Sequence, residues 1–447
     1  MFKIAFRNVL RNGRRSLMTA AAIAVGGASL ILFGEYNGMA LIGMETGMVR
    51  GMGHMSVFQK GYFDFGGGRP LAYSVSNYKA VIKLIEDDPE LKPMLNVVTP
   101  TVTVYGIAGN AALDKSKTFF GKGFVPSDRD KMRRWDEYGL DPNPDKSPLG
   151  LRDDNVDHGV IGTGLARILG LCKPLKIANC PVQPVPAERG VVDAPAAAGE
   201  KAPRLDLLGS AGGAPNVVAF YVNEAQGMGG QEMDDSYIGM NLPLAQQLLF
   251  GNGEHKASSI VILLNRSEDM ARARARLNAL FAEHKLDLEV RDFKELIPMY
   301  NQIISYLQGL FAFLAVILGI IVIFTTANTM SMSVMERTSE IGTGRAMGVR
   351  RGGIRRQFLL EGAFLGILGA TAGVLLGVLA TYWINHAGIT YTPPNNATPV
   401  PLSLLTHHIG GLLFGVWLAL VIMAMLASIV PANRAARMKV VDALRHV

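Results

Sequence analysis

The sequence predicts a membrane protein in which four transmembrane α-helices carry one large, mixed α/β extracytoplasmic domain. Among 447 residues, 49% are hydrophobic and only 18% are charged, whereas soluble domains usually carry ~25% charged residues. Four segments reach the ~20 apolar residues that cross a bilayer as a helix. The long stretch between the first two of them alternates helix-like with strand-like patterns, which indicates the α/β domain.

The four apolar segments define the predicted transmembrane helices. We expect them at residues 17–39, 303–327, 358–383 and 411–430. The first segment has an alternative interpretation as a cleaved signal peptide, because basic residues precede its apolar core. Since that core is long and no A-x-A cleavage site follows it, we expect a retained anchor.

The distribution of Lys and Arg predicts the orientation. Basic residues are concentrated at 1–16, 328–357 and 431–447, whereas 384–410 contains neither Lys nor Arg. Short loops rich in Lys and Arg remain cytoplasmic. We therefore expect a basic, amphipathic N-terminal segment, a loop and a C-terminal tail in the cytoplasm. The second loop and the α/β domain at 40–302 are expected on the outer side of the membrane.

Secondary structure is predicted within the α/β domain from apolar periodicity and turn residues. Helices are expected to begin at Asn77, which would cap its helix, at Pro243 and at Ser267. Strands rich in β-branched and aromatic residues are expected at 97–109, 117–125, 217–222, 258–265 and 286–293.

Residues 180–216 are dense in Pro, Ala and Gly, and they predict a long insertion. Cys172 and Cys180, the two cysteines of the chain, flank the strand-like segment KPLKIAN just before it. In an oxidising compartment they would form a disulfide that closes a short loop. The alternative is a pair of buried thiols, and the sequence leaves both open.

Motifs for catalysis, metal binding and nucleotide hydrolysis are missing from the sequence. It contains no GxxxxGK[ST] phosphate loop, and the GKG at Gly121–Gly123 is expected to form a turn. No HExxH, GxSxG or zinc-type Cys/His spacing is present. The basic residues lie beside apolar segments rather than on a soluble face. We therefore expect no catalytic residue, metal, bound cofactor or nucleic-acid partner for this chain.

Glycines recur along the third predicted transmembrane helix, mostly four residues apart: Gly362, Gly366, Gly369, Gly373 and Gly377. This spacing favours close packing of helices, although membrane helices are rich in Gly in general.

Two acidic residues, Glu35 and Glu361, lie near the ends of predicted transmembrane helices. We expect their carboxylates to reach water from there, and a proton relay is the less favoured alternative.

The segment SMSVMERTSEIGTGRAMGVRRGGIRRQFLLEG, residues 331–362, resembles the loop of the FtsX-like permeases, which include the MacB and LolC–LolE types. The resemblance rests on the following residues: Glu336, Arg337, Thr338, Glu340, Ile341, Gly342, Arg345, Ala346, Met347 and Gly348, with Gln357, Phe358, Leu359 and Glu361 beyond them. Residues 6–19, 159–171 and 431–445 are also similar to segments of this family.

The resemblance implies a permease of the type VII ABC transporter class in the bacterial inner membrane, with an outer domain like the MacB periplasmic core. Such a permease pairs with a second copy or a paralogue. It acts with two copies of a separate cytoplasmic ATPase, which binds ATP and Mg. The first ten residues listed above would form the coupling helix that docks on this ATPase. Thr343 and Gly344 depart from the family pattern, so this helix is expected to be shortened or hinged.

By resemblance, ATP hydrolysis would move the outer domain through a stalk for which residues 293–304 are the candidate. We expect mechanotransmission that extracts amphipathic cargo such as lipoproteins or lipids from the membrane. One alternative is MacB-like efflux of small molecules or peptides with a periplasmic adaptor. The other is FtsX-like activation of a periplasmic cell-wall enzyme without transport.

Overall fold

A computed structural model describes residues 7–8, 11, 13–66, 69–70, 72–140, 150–177, 180, 202–209, 215–228, 230–252, 255–391, 400–404, 409–440 and 443. The chain forms two compact units. The helical unit contains Met1–Ile42, Met299–Tyr391 and Val400–Val447, and the α/β unit contains Gly43–Pro298.

The elements follow one another along the chain in this order: α1 (Gly13–Met52), β1 (Met55–Gln59), α2 (Tyr78–Asp87), β2 (Leu95–Asn110), β3 (Lys115–Phe124), α3 (Pro126–Arg134), β4 (His158–Gly162), α4 (Thr163–Ile168), β5 (Arg204–Gly209), β6 (Asn216–Gln226), α5 (Gln231–Asp234), β7 (Tyr237–Asn241), α6 (Leu242–Phe250), β8 (Ser259–Leu264), α7 (Met270–Glu283), β9 (Leu288–Asp292), α8 (Phe293–Leu296), α9 (Pro298–Glu336), α10 (Thr338–Ala346), α11 (Arg351–His386), β10 (Thr390–Tyr391), β11 (Val400–Pro401), α12 (Gly410–Ala427) and α13 (Ile429–Arg437).

Four helices of the described chain are long and apolar enough to cross a membrane: α1, α9, α11 and the α12–α13 pair. Helices α1 and α9 have 40 and 39 residues, about twice the length that crossing requires. Large apolar side chains such as Phe313 and Phe324 of α9 are exposed. A surface of this kind suits contact with lipid rather than water, and the chain is a membrane protein.

The α/β unit is built on a nine-stranded sheet with strand order β3-β7-β4-β6-β5-β2-β8-β1-β9. The long strand β2 pairs with β8 through its first half and with β3 through its second half. Because β2 also pairs with β5, the pairings close a ring of six strands. The predicted mixed α/β domain is thus confirmed.

Two hydrophobic cores support this sheet. One joins ring residues such as Val104, Phe220 and Ile238 to Leu248 of α6. The other packs α2 and α7 against β1 and β8, with residues such as Met55 and Ile262 at its centre. The five predicted strands and the three predicted helices are all present in the α/β unit.

Some local predictions for the α/β unit were wrong. Helix α2 begins after Asn77, but the Asn77 side chain makes no capping hydrogen bond. After Cys172, residues 173–176 form turns instead of a strand, and residues 178–179 lie outside the described residues. The GKG sequence forms part of β3 rather than a turn. Within the predicted insertion, residues 204–209 form β5 at the centre of the sheet, while 181–201 and 210–214 lie outside the described residues.

The candidate stalk at 293–304 is interrupted. Helix α8 starts with a capping box between Asp292 and Glu295 and ends before Ile297, whose backbone is not helical (φ −123°, ψ 85°). Pro298 then begins α9. Since proline disfavours the helical conformation in the residue before it, the break at Ile297 is a direct consequence of the sequence.

The C-terminal end of α1 receives two cationic side chains from the α/β unit. Lys122 Nζ lies 3.4 Å from the Gly51 carbonyl oxygen, and Arg129 Nη1 donates to the carbonyls of Arg50 and Gly51. The last carbonyls of a helix have no partner within the helix and carry partial negative charge. Burial, together with the charge of Arg129, lowers the pKa of Lys122 to about 8.

Candidate functional site

The segment between α9 and α11 contains a short helix that one turn residue separates from α9. Helix α9 ends at Glu336, Arg337 forms the bend, and α10 follows at once. A nine-residue helix is marginal alone. Ile341 anchors α10, because it is 5% exposed and joins a core with residues of α9, α11 and α13. Burying a side chain of this size stabilises the packing by ~2 kcal/mol.

Helix α10 continues through Thr343 and Gly344, so these residues do not break it. The Thr343 hydroxyl donates to the Ser339 carbonyl at 2.9 Å, one turn earlier. The helix ends at Ala346, Met347 is its C-cap residue, and Gly348 takes φ +96°. Only glycine adopts this conformation without strain, so Gly348 sets the direction in which the chain leaves α10.

Arg337 and Glu361 form a buried ion pair beside the bend. Arg337 Nη1 lies 2.9 Å from Glu361 Oε1, and the two side chains are 4% and 3% exposed. Asn8 Nδ2 donates to the same carboxylate oxygen at 2.7 Å, and Arg337 Nη2 donates to the Asn8 carbonyl at 3.4 Å. Asn8, Arg337 and Glu361 therefore form one network, which we call the clasp.

The expectation that Glu35 and Glu361 reach water is wrong. Glu361 lies in the clasp, and Glu35 is 1% exposed, with its carboxylate accepting a hydrogen bond from Thr381 of α11. Both carboxylates are enclosed by neighbouring helices rather than positioned at the surface. Distance from the end of a helix did not reveal this, because burial depends on which helices pack there.

Two exposed ion pairs connect residues 7–16, which include the first turn of α1, to the same region. We call this segment the N-terminal arm; residues 9, 10 and 12 of it lie outside the described residues. Arg11 pairs with Glu340 at 2.7 Å, and Arg15 pairs with Glu336. About half of each side chain is exposed, so each pair contributes at most ~1 kcal/mol.

Arg345 binds the C-terminal end of the neighbouring helix α13. Its Nη1 atom donates to the carbonyl oxygens of Ala436 at 3.1 Å and Met438 at 2.7 Å. These carbonyls close the C-terminal turn of α13, where a cationic donor is favoured. This predicted docking residue thus supports the fold of the helical unit.

Four residues at the end of α10 point outward, and we call them the exposed tip: Ala346, Met347, Gly348 and Val349. Met347 is 77% exposed and Val349 is 39% exposed. Arg350 and Arg351 follow and are also exposed. Flexible, polarisable methionine is common on surfaces that bind partner proteins, so the tip is the candidate contact site.

The ten predicted coupling residues thus divide into distinct groups. Arg337, Ile341 and Gly342 are buried, while Glu336, Glu340 and Arg345 are bonded within the helical unit. Thr338 donates to the Met335 carbonyl at 2.8 Å. Ala346, Met347 and Gly348 lie on the exposed tip. Sequence reasoning missed the partners Asn8, Arg11 and Arg15, and it missed Val349.

The glycine row of α11 packs against two different helices. A methyl group on Gly366 would lie 2.9 Å from Ala424 Cβ of α12. Corresponding methyl groups on Gly369, Gly373 and Gly377 would lie 2.6 Å from Ile23 Cβ, 2.9 Å from the Ala24 carbonyl and 3.0 Å from Ile31 Cγ2, all on α1. Gly362 has the same role beside Ser428. Glycine therefore permits the close approach of α1 and α12 to α11.

Cys172 and Cys180 form a disulfide, with Cα atoms 6.2 Å apart. This separation is within the usual range for a disulfide. Among the residues that the structure describes, no group of three or more His, Cys, Asp or Glu side chains could hold a metal ion.

The C-terminal part of the helical unit matches a known protein family. The model of the FtsX-like permease C-terminal family matches residues 310–440, which include the bend, the exposed tip and the glycine row. Over these residues the chain is similar to the FtsX-like permeases.

Similar curated proteins are found in several organisms. The macrolide export ATP-binding/permease protein MacB of Hyphomonas neptunium is 31% identical over 242 residues, 52% of this chain and 34% of the relative. The ABC transporter permease YtrF of Bacillus subtilis is 36% identical over 137 residues, 30% of each chain. An uncharacterized ABC transporter permease of Methanocaldococcus jannaschii is 24% identical over 230 residues, 48% of this chain and 52% of the relative. The chain thus spans about a third of the length of the first of these relatives.

Proposed function

We propose that this chain is the membrane-spanning subunit of an ABC transporter whose ATPase is a separate cytoplasmic protein present in two copies. ATP and Mg bind to that ATPase. Hydrolysis there moves the α/β domain on the other side of the membrane. The observation that carries the proposal is the exposed tip, an apolar projection within the segment that matches the FtsX-like family.

The support beneath the tip suits the transfer of force. Ile341 is buried in a core shared with α9, α11 and α13, and Arg345 is bonded to the end of α13. A push on the tip would therefore displace these helices together rather than bend a flexible loop. In this proposal α10 is the coupling helix, and the tip is the part that touches the ATPase.

Two independent observations support the proposed orientation. The basic N-terminal arm and the arginines after the tip favour the cytoplasmic side for this end of the helical unit. The Cys172–Cys180 disulfide favours an oxidising compartment for the α/β unit. We propose that the protein lies in the bacterial inner membrane, with both termini in the cytoplasm and the α/β unit in the periplasm.

The transporter would contain two permease subunits, either two copies of this chain or this chain with a paralogue. Its cargo would be amphipathic, such as a lipoprotein or a lipid that is extracted from the membrane and released outside. Mechanotransmission suits this cargo, because the large α/β unit could grip a molecule that never passes through the helices.

Export of small molecules with a periplasmic adaptor is the second candidate, and two observations favour it. One is the likeness to macrolide exporters. The other is an open cleft of about 570 Å³ in the α/β unit, lined by apolar residues such as Ile82 and Pro100 and by polar residues such as Asp128 and Gln246. A cleft of this volume suits a drug-sized ligand.

Co-purification tests the function. The tagged full-length chain, solubilised from membranes of its host, should retain an ABC ATPase that mass spectrometry identifies and that hydrolyses ATP. The variant Met347→Asp should lower the amount of retained ATPase at least ~10-fold, since a carboxylate at the tip opposes apolar contact. Met233→Asp, an exposed methionine of the α/β unit, is the matched control. An unchanged amount of ATPase with Met347→Asp would refute the assignment of the tip.

Crosslinking distinguishes the cargo classes. Photoreactive amino acids placed around the cleft in cells should give lipoprotein or lipid adducts if the complex extracts such cargo. Adducts with a periplasmic adaptor would favour small-molecule export instead. Adducts with one cell-wall hydrolase alone would contradict both transport functions.

A further inference from the structure

The N-terminal arm is held against the bend between α9 and α10 by contacts of two kinds. The ion pairs Arg11–Glu340 and Arg15–Glu336 are exposed, so water and salt weaken them. The Arg337–Glu361 pair of the clasp is buried, and Asn8, which is partly buried, is the member that the arm supplies. The clasp is therefore the contact that decides whether the arm stays in place.

The hydrogen-bond pattern of the clasp explains why the arm matters to the ion pair. Asn8 donates through its side chain to the carboxylate and accepts through its backbone carbonyl from the guanidinium. A buried charge needs such additional partners, because the ion pair alone does not offset the loss of hydration. A cavity of about 20 Å³ beside the pair, lined by polar residues including Ser16 and Ser333, has room for one water molecule.

The position of the clasp connects three parts of the helical unit. Arg337 forms the bend that leads into α10, Glu361 lies in α11, and Asn8 lies in the arm that leads into α1. Without the clasp, no buried polar contact among the described residues would join the arm to the bend.

We infer that Asn8, Arg337 and Glu361 are positioning residues that fasten the N-terminal arm to the coupling helix, so that a displacement of α10 reaches α1 through the arm. Only the second half of this inference, the transfer of displacement, rests on the proposed function. The fastening is a property of the chain by itself.

Hydrogen exchange of the full-length chain tests the fastening. In the double variant Arg337→Met with Glu361→Leu, apolar side chains replace the ion pair, and many folds tolerate such a substitution. The amides of residues 13–20 should then exchange at least ~10-fold faster, because the arm opens more often. The variant Asn8→Leu, which removes only the contribution of the arm, should act in the same direction.

Two controls keep this measurement decisive. Arg356→Met removes an exposed arginine of α11 and should leave exchange in residues 13–20 unchanged. Exchange of β8 should match the wild type in every variant, which shows that the α/β unit is folded. If the amides of residues 13–20 exchanged at the wild-type rate in both the double variant and Asn8→Leu, the inference that the clasp fastens the arm would be refuted.

Thiol labelling tests the transfer of displacement. Because Cys172 and Cys180 are joined, Arg14→Cys places a single reactive thiol among the described residues, on the exposed side of the arm. In the wild-type background with its ATPase, the labelling rate should differ between ATP with Mg and ADP. In the double variant the ATPase should still co-purify, but the difference should disappear.

The outcomes separate the two ideas. If the ATPase co-purifies with the double variant and the nucleotide-dependent difference persists, the transfer through the arm is refuted. If no ATPase co-purifies with the wild type, the proposed function fails, and the exchange measurement still decides whether the clasp exists.

Discussion

Acid should destabilise the α/β unit through one buried histidine, His54, two residues after the end of α1. Its side chain is fully buried, with Nδ1 accepting the Leu264 N–H at 3.0 Å and Nε2 lying 3.1 Å from the Ser267 hydroxyl. The ring also contacts Trp135 edge-on at 5.0 Å. A proton on Nδ1 would face a donor instead of an acceptor, so the neutral imidazole is required.

The size of the effect follows from the pKa. Burial lowers the pKa of His54 from 6.5 to about 4. At pH values between these two pKa values, the unfolded chain binds a proton on His54 that the folded chain does not bind. The stability of the folded chain therefore falls as the pH falls through this range. At ~1.4 kcal/mol per pH unit, the full loss is ~3 kcal/mol, of which ~2 kcal/mol has gone by pH 4.5.

Urea unfolding of the detergent-solubilised chain at several pH values between 7 and 4.5 measures this loss. The variant His54→Asn keeps an oxygen that can accept from Leu264 but has no titrating group, so its stability should change ~2 kcal/mol less over the range. His284→Asn, at an exposed position, should behave as the wild type. If the wild type and His54→Asn lost equal stability, the reasoning about the neutral imidazole would be refuted.

Three further predictions concern packing and charge. Arg276→Ala should lower the midpoint of thermal unfolding, because it leaves the buried Asp88 carboxylate without the guanidinium that holds its pKa below the usual range. Arg272→Ala, on the exposed side of α7, should leave the midpoint unchanged. Equal midpoints for the two variants would contradict this reasoning. Gly373→Ala should destabilise the helical unit by ~1–3 kcal/mol in thermal unfolding, since its methyl group would meet the Ala24 carbonyl at 2.9 Å. An added methyl group at Gly309 would meet open space, so Gly309→Ala should stabilise α9 by up to ~1 kcal/mol. A similar loss of stability in Gly373→Ala and Gly309→Ala would refute the packing argument. Arg345→Met should speed hydrogen exchange at the end of α13 by ~10-fold through loss of two carbonyl contacts, and an effect confined to the tip would show that Arg345 acts there instead.

The sequence predicted the helices and strands well where long apolar periodicity decided them. It missed β5, because six strand residues stand among many Pro, Ala and Gly, and local composition outweighed the pairing with β2 and β6. It also placed the candidate stalk at 293–304 without noting the helix break at Ile297. Pro298 was a usable signal for that break, because proline disfavours the helical conformation in the residue before it.

For the candidate site, the motif marked the segment that contains the exposed tip, and the structure adds that side chains such as Arg337 and Arg345 are bonded within the helical unit. Glu336 and Glu340 are four residues apart, and so are Arg11 and Arg15, so both pairs recur once per helical turn. This matching spacing was a usable signal for a contact between the two segments. Which helices lie side by side cannot be deduced from one sequence, so the burial of Glu361 and its contact with Asn8 required the structure.

The cations at the end of α1 have a consequence for how the protein is made. Lys122 and Arg129 lie 71 and 78 residues after Gly51 in the chain. While the nascent chain ends before β3, the final carbonyls of α1 have only water or lipid head groups to bond. The last turn of this helix should therefore fray until β3 and α3 have been synthesised and folded against it. Completion of the first membrane helix and folding of the α/β unit would then be a single step in biogenesis.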